Sequence, residues 1–276
     1  MADFTRPKLM GILNVTPDSF SDGGRWIDAC AAIARGRVLV ALGADIVDVG
    51  GESTRPGAER VSPAEELERV LPVVEALVTL GVTVSVDTMR AQTAAACIDL
   101  GAQFINDVSG GIADPDMAAT VAESDATLIA MHWRGHSTEM DDLAHYRNVA
   151  IDVRDELDER VDALRAAGIP NERLIIDPGF GFAKNADHNW ELLRNLRELN
   201  ALGLPVLVGV SRKRFLADVM ASGATTVERD LPTAVISAIV AERGVWGLRV
   251  HDVATNRIAL DTVARLHEPN LADSPS

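Results

Sequence analysis

The side chains best suited to chemistry in this chain are carboxylates and amides that stand at the ends of short apolar runs. Asp87, Asn106 and Asp177 each occupy such a position. A carboxylate such as Asp177 accepts two parallel hydrogen bonds from a guanidine-like edge, and such charge-assisted bonds are stronger than neutral ones. The pattern therefore predicts a pocket for a flat heterocycle that carries paired N–H donors.

A second group of candidate residues is cationic and also follows apolar runs. Lys occurs at only three of the 26 basic positions, and one of these, Lys213, lies between Arg212 and Arg214. Arg249 and His251 end the last apolar run of the chain. Lys213, Arg249 and His251 are suited to phosphate oxygens, so we expect an anionic group beside the heterocycle.

Hard oxygen ligands near the amino terminus favour a magnesium site. Asn14 and the nearby Asp22 offer such oxygens, and Mg²⁺ is commonly held by one or two protein ligands together with phosphates and water. Residues 18–25 and 52–60 are polar and rich in Gly and Ser. They are either ordinary connectors or, as we expect, loops that close over a substrate.

Short β-branched runs and amphipathic helical stretches alternate along the chain, which positions these residues. Strands are predicted near 8–15, 45–49, 83–87, 104–108, 128–132, 174–177, 206–210 and 247–251, and helices near 28–42, 63–80, 91–100, 146–167, 189–202 and 232–243. Eight apolar strands that each precede a helix predict a single (β/α)8 barrel, whose active site lies at the carboxyl ends of the strands. Polar residues stand at or near the ends of all eight predicted strands, where that fold places its active site.

The composition excludes several other classes of protein. The net charge of −15 over 276 residues disfavours nucleic-acid binding. The sequence has no run of 18 or more apolar residues, so no membrane span is predicted. Cys30 and Cys97 have no C-x-x-C spacing, which argues against a disulfide framework or a zinc ribbon. We therefore expect a cytoplasmic protein with one domain over residues 1–268 and a frayed tail over residues 269–276.

Eight segments in order resemble the dihydropteroate synthase family over residues 8–266. These segments are GILNVTPDSFSDGG, DVGGESTRPGA, VSVDT, INDVSGG, MHWRG, DPGFGFAK, VGVSRKRF and RVHDV. The resemblance implies a folate-pathway transferase that joins p-aminobenzoate to 6-hydroxymethyl-7,8-dihydropterin diphosphate and releases diphosphate. It also implies Mg²⁺ as cofactor and a homodimer.

The resemblance assigns roles position by position. It places pterin at Asp87, Asn106, Asp177 and Lys213, the diphosphate at Asn14, Arg249 and His251, Mg²⁺ at Asn14, and p-aminobenzoate at Phe20, Thr54, Arg55, Pro56 and Phe182. The catalytic set is expected to be Lys213, Asp22, Arg249 and His251. Ala183 and Arg214 stand where many or several members have Gly and Ser, so affinity for p-aminobenzoate or sulfonamides is expected to differ.

The expected reaction is a dissociative substitution. The amine of p-aminobenzoate is neutral near pH 7 and needs no strong base, whereas the diphosphate must leave with its charge stabilised. Asp22 would face the pterin cation. Three alternatives remain open at this point: a methyltetrahydrofolate:corrinoid methyltransferase with the same acidic pterin pocket, a Schiff-base aldolase barrel, and a catalytically inactive paralogue that binds pterin.

Overall fold

The computed structural model describes residues 4–16, 25–52, 61–135 and 142–268. In this part of the chain, eight parallel strands alternate with helices along the sequence. The strands are β1 (Lys8–Asn14), β2 (Ile46–Gly50), β3 (Val84–Asp87), β4 (Phe104–Asp107), β5 (Thr127–Met131), β6 (Leu174–Asp177), β7 (Leu207–Val208) and β8 (Gly247–Val250). All eight predicted strands are therefore present, with ends that shift by at most two residues.

The strands form one sheet in the order β6-β5-β4-β3-β2-β1-β8-β7. The two outer strands of this order approach each other at one point: Ile176 of β6 forms an isolated parallel bridge with Val206, and its amide donates to the Pro205 carbonyl at 2.9 Å. This bridge brings the sheet almost full circle. The predicted (β/α)8 barrel is confirmed.

The helices cover the outside of the sheet. They are α1 (Arg25–Ala41), α2 (Pro63–Thr79), α3 (Ala91–Asp99), α4 (Met117–Ala122), α5 (Val149–Ala166), α6 (Ala186–Arg194), α7 (Asp230–Ala241) and α8 (Val253–His267), with 3₁₀ helices at Asn171–Arg173, Leu196–Leu202, Arg214–Val219 and Val227–Arg229. None of these helices has the length and apolar character needed to cross a bilayer.

The prediction of one helix over residues 189–202 is wrong. The side chain of Asn185 accepts from the amide of His188 and begins α6 earlier than predicted. The backbone of Asn195 leaves the α-helical region, with φ −104° and ψ 22°, and the chain continues as the 3₁₀ helix Leu196–Leu202. An Asn cap and an Asn break are local signals that an apolar periodicity does not carry.

The barrel interior is layered, because side chains of a strand alternate between its two faces. Five apolar side chains fill the amino-terminal half of the interior, against Phe104 and Trp246: Met10, Ile46, Ile129, Ile175 and Leu207. Two residues further along the strands, the inward positions become polar, for example Asp48, Asn106 and Asp177. The apolar layer thus forms a packed base, and the polar layer faces the carboxyl-terminal opening.

Candidate active site

A cavity of about 780 Å³ opens at the carboxyl ends of the strands. It is lined by all the predicted site residues that the structure describes: Asn14, Asp87, Asn106, Asp177, Phe182, Lys213, Arg249 and His251. These positions are up to 237 residues apart in sequence, and the barrel brings them around one space. Their roles toward substrate remain predictions.

Five of the predicted residues lie outside the described part of the chain. These are Phe20, Asp22, Thr54, Arg55 and Pro56. The assignment of Asp22 to the catalytic set and of the other four to the p-aminobenzoate site therefore stays an expectation from sequence.

The floor of the cavity is an ion-pair cluster centred on Arg249. Its Nε donates to Asp48 Oδ2 and its Nη2 donates to Asp87 Oδ2, both at 2.6 Å. Asn106 Nδ2 donates to the same Oδ2 of Asp48 at 3.1 Å. Burial disfavours the charge of Arg249, but the two carboxylates outweigh burial and raise the pKa of the guanidinium above its usual value. Arg249 is therefore a fixed cation whose Nη1 has no hydrogen-bond partner within the described residues.

Asp48 is a site residue to which no role was predicted from the sequence. It is fully buried at the middle of β2, on the inward-facing alternation that also contains Gly50. A carboxylate inside a parallel strand is rarely buried without a partner, and this was the available signal in the sequence. Its Oδ1 atom accepts no hydrogen bond from the described residues.

Burial changes the proton affinity of the two carboxylates predicted to bind the heterocycle. Burial raises the pKa of Asp87 to about 7, in spite of the adjacent Arg249, because Asp48 and other carboxylates add repulsion. Burial also raises the pKa of Asp177, while the Gly179 amide and Lys213 act in the opposite direction. The Gly179 amide donates to Asp177 Oδ1 at 2.7 Å, which fixes that side chain.

Lys213 reaches the cavity from a turn that follows β7. Arg212, just before it, has φ +59°, a left-handed conformation that costs energy for a residue other than glycine. A two-bond ion pair from Arg212 to Asp230, at 2.7 Å for each bond, holds this conformation. The Nζ of Lys213 lies 4.1 Å from the centre of the Phe182 ring. Burial, together with Arg249, lowers the pKa of Lys213 to about 8.

His251 is oriented by Ser211. The Ser211 Oγ accepts from the backbone amide of His251 at 3.1 Å and lies 3.0 Å from its Nδ1. A hydroxyl group can donate one hydrogen bond and accept two, so Ser211 can hold the ring in either tautomer. The ring is thus held at the wall of the cavity, where an anion-binding role would place it.

The donor set fits a magnesium ion that is carried mainly by a phosphate ligand. In the described ranges no group of three or more His, Cys, Asp and Glu side chains is placed to hold a metal ion. Asn14 ends β1 and lines the cavity together with Arg249 and His251. A single amide oxygen beside cationic residues matches the sparse protein coordination of Mg²⁺ in phosphate sites, and not a metal cage made of protein ligands.

A second buried ion-pair cluster supports the strand that ends in Asp87. Glu66 of α2 is buried and accepts from Thr88, Thr93 and Arg90. Arg90 Nη2 also donates to Glu52 Oε2 and to the Val61 carbonyl, each at 2.7 Å. The pairing of these residues cannot be read from the sequence, because their partners lie on other elements of the fold.

Ala183 and Arg214, the two residues that depart from the family pattern, both lie close to the cavity. Ala183 has φ +47°, so the common Gly at this position is the residue with no steric cost there. Its carbonyl accepts from the Tyr146 hydroxyl at 3.0 Å. Arg214 lines the cavity directly beside Lys213.

The barrel and its polar opening define a class of enzyme. The family described as "Pterin binding enzyme" matches residues 10–251. A dihydropteroate synthase of Mycobacterium leprae (strain TN) is 51% identical over 266 residues, which cover 94% of this chain and 94% of that protein. The chain therefore belongs to the dihydropteroate synthase family, a family of transferases in folate synthesis, and the prediction that it is an enzyme is confirmed.

Solved structures agree with this assignment. A dihydropteroate synthase of Xanthomonas albilineans, solved with 4-aminobenzoic acid, is 41% identical and has a TM-score of 0.88, covering 99% of this chain and 95% of that one. A structure of the Xanthomonas albilineans enzyme in complex with 7,8-dihydropteroate is 38% identical with a TM-score of 0.85, covering 99% of this chain and 96% of that one. The similarity thus extends over the whole barrel.

Proposed function

We propose that this enzyme forms 7,8-dihydropteroate from 6-hydroxymethyl-7,8-dihydropterin diphosphate and p-aminobenzoate, with release of diphosphate. The observation that carries the proposal is the pairing, in one cavity, of a carboxylate and amide group with a cationic group. Asp87, Asn106 and Asp177 form the first, and Lys213 and Arg249 belong to the second. The related proteins described above bind 4-aminobenzoic acid and 7,8-dihydropteroate.

The acidic part of the cavity suits the pterin ring. Asp177 has one oxygen held by the Gly179 amide, so its carboxylate presents a fixed edge to paired N–H donors. Asn106 is fixed by its bond to Asp48 and presents an amide whose oxygen is an acceptor. The nearly complete burial of both residues strengthens these bonds because water is excluded.

The cationic part suits the diphosphate. Lys213, Arg249 and the imidazole of His251 line the same space. Donors fixed in advance stabilise charge that develops on a leaving group, and removing one such donor typically costs a few kcal/mol of transition-state stabilisation. Asn14 would hold Mg²⁺, which when bound neutralises charge on the diphosphate.

The proposed reaction is a dissociative substitution at the exocyclic CH₂ carbon of the pterin. The bond from this carbon to the diphosphate oxygen breaks, and the electron pair leaves with the diphosphate. The lone pair of the p-aminobenzoate nitrogen then forms the new C–N bond, and the nitrogen loses one proton to solvent. The conjugated dihydropterin spreads the positive charge in between, with Asp22 as the expected facing carboxylate.

The test is a diphosphate-release assay with dihydropterin diphosphate, with and without p-aminobenzoate and with Mg²⁺ or EDTA. Release that requires p-aminobenzoate and Mg²⁺, together with formation of dihydropteroate, is expected. Pterin binding without release would instead favour an inactive paralogue. Methyl transfer from methyltetrahydrofolate to a corrinoid would favour the methyltransferase alternative.

The exposed face of α7 and α8 supports assembly as a homodimer. Leu231, Val235 and Ile239 recur every four residues along α7, and all three are exposed. The neighbouring α8 adds the exposed Ile258 and Leu266. Exposed apolar side chains on two adjacent helices are typical of a two-fold interface. Sedimentation should give a dimer, and Val235→Glu with Ile239→Glu should give a monomer. A monomeric parent protein would contradict this assembly.

A further inference from the structure

A network of ionisable side chains lies behind residues 178–185, which connect β6 to α6. Lys184 and His132 in this network are buried, and Glu156 and Arg134 are partly buried. The proposed reaction uses none of the four. Their contacts run from the surface of α5 to the edge of the cavity.

Lys184 is at the centre of the network. Its Nζ lies 3.0 Å from His132 Nδ1, 3.1 Å from the Gly179 carbonyl and 3.1 Å from the Phe182 carbonyl. Burial lowers the pKa of Lys184 to about 7, and below this pH the group is an ammonium with three donors and no acceptor, so these three acceptors use its full capacity. A lysine held in this way fixes the path of the backbone between residues 179 and 182.

His132 and Glu156 fix the position of the lysine in turn. Since Nδ1 of His132 accepts from Lys184, Nε2 carries the proton and donates to Glu156 Oε2 at 2.9 Å. Burial and the charge of Lys184 lower the pKa of His132 to about 4, in agreement with a neutral ring. Burial opposes the charge of Glu156, but bonds from His132 and Arg134 outweigh it and lower the pKa of that carboxyl to about 2.

Arg134 ties the network to a third carbonyl of the same loop. Its Nε donates to Glu156 at 3.0 Å, and its guanidinium carbon lies 3.9 Å from the centre of the Tyr146 ring. The hydroxyl of Tyr146 donates to the Ala183 carbonyl at 3.0 Å. The carbonyls of residues 179, 182 and 183 are thus all held from one side.

The other side of this loop touches the candidate active site. The Gly179 amide donates to Asp177, and the Phe182 ring lies against the Nζ of Lys213. The residues whose carbonyls bind Lys184 are therefore the same residues that contact two proposed substrate-binding side chains. A shift of the loop would move both contacts together.

We propose that Lys184 is a positioning residue for Asp177 and Lys213, and that it acts by fixing Gly179 and Phe182 through its bonds to their carbonyls. His132 and Glu156 support it by holding Nζ in place. The inference rests on the proposed function, because it takes Asp177 and Lys213 to be the groups that meet substrate. It adds three side chains, which the proposed reaction does not use, to those that set the geometry of the site.

The test compares Lys184→Met with Lys8→Met. Lys8 is an exposed lysine at the amino end of β1, away from the carboxyl-terminal opening of the barrel. Lys184→Met is expected to lower kcat/KM for dihydropterin diphosphate at least tenfold and to weaken pterin binding in calorimetry, while Lys8→Met leaves both unchanged. A folded Lys184→Met protein with both quantities within twofold of the parent would overturn the inference.

A double-mutant cycle with Phe182→Ala separates positioning from general stabilisation. If Lys184 acts through residue 182, the effects of Lys184→Met and Phe182→Ala on kcat/KM should be non-additive by at least threefold. Additive effects would overturn the inference. If Lys184→Met does not fold, Glu156→Gln takes its place in the cycle, because this partly exposed side chain keeps its shape and loses only its charge.

The two proposals fail in different ways. No diphosphate release by the parent protein would contradict the proposed function, and calorimetry with the pterin alone would still test the effect of Lys184→Met on the cavity. An active parent protein with an unaffected Lys184→Met variant would contradict the positioning role alone.

Discussion

Arg249 Nη2 donates to Asp87 Oδ2 at 2.6 Å and so joins β8 to β3 across the interior of the barrel, although β1 and β2 lie between these strands in the sheet. The same guanidinium binds Asp48 of β2. The pair therefore connects two residues predicted to bind different parts of the substrate, the pterin ring and the diphosphate. Changing either residue should alter both the stability of the barrel and the binding site.

Arg249→Met should destabilise the fold. It leaves the buried carboxylates of Asp48 and Asp87 without their cation, and breaking a buried pair typically costs about 3–5 kcal/mol. Urea unfolding measures this loss. Arg257→Met, which removes a surface pair with Asp261, is the control and should change the free energy of unfolding by no more than about 0.5 kcal/mol. Equal stability of the Arg249→Met and parent proteins would contradict the cluster.

Asp177→Asn should weaken pterin binding. The amide keeps the shape but loses the charge that strengthens hydrogen bonds to the ring, a loss of about 1.5–3 kcal/mol, or roughly ten- to hundredfold in Kd. Titration calorimetry with the pterin substrate measures it. Asp155→Asn on the exposed face of α5 is the control. Unchanged affinity of Asp177→Asn would remove this residue from the pterin pocket.

Lys213 should set an alkaline limb in the pH dependence. A lysine is charged below its pKa and neutral above it, and burial lowers the pKa of Lys213 to about 8. We therefore expect kcat/KM to fall as the pH rises through about 8. Lys213→Ala should depress turnover at every pH with the fold intact, and Lys213→Arg should move the limb to higher pH. An alkaline limb that stays in place in Lys213→Arg would assign it to another group.

Asp87 should set the acid limb. A carboxyl is charged above its pKa, and burial raises the pKa of Asp87 to about 7, so its charge is lost as the pH falls through this value. Pterin affinity measured from pH 5 to 8 should fall toward the acid end. In Asp87→Asn the affinity should be lower and should no longer follow this titration. An acid limb that persists in the variant would contradict the assignment.

Two glycines with left-handed backbones provide a matched test of the Lys213 site. Gly181 has φ +73°, and a Cβ added there would lie 2.9 Å from Lys213 Cδ, whereas Gly203 has φ +64° and nothing within 4 Å. Ala at either position should cost about 1–2 kcal/mol of stability for the left-handed conformation. Gly181→Ala alone should also lower kcat, because the lysine must shift. Equal activity of the two variants would contradict the contact.

The features that could be predicted from the sequence are those encoded by a few neighbouring residues, such as strands and the polar residues at their ends. The bounds of β6 were predicted to the residue, because a short apolar run that ends in Asp177 is a signal within four positions. Apolar runs of the same kind placed Asp87 and Asn106 at or near strand ends. The Arg249–Asp48 bond was beyond such reasoning, since its partners are 201 residues apart. The three acceptors of Lys184 were also unpredictable, because two of them are carbonyls whose direction depends on the loop geometry.

The barrel closes between β6 and β7 through a single bridge, from Ile176 to Val206, which is the weakest strand pairing in the described part of the sheet. β7 contributes only two residues to the sheet and has a regular ladder with β8 alone. Asp177 ends β6 on one side of this closure, and Lys213 follows β7 on the other side. The spacing of these two side chains is therefore set by one strand bridge and by the packing of the loops around it, and not by a continuous ladder of backbone hydrogen bonds.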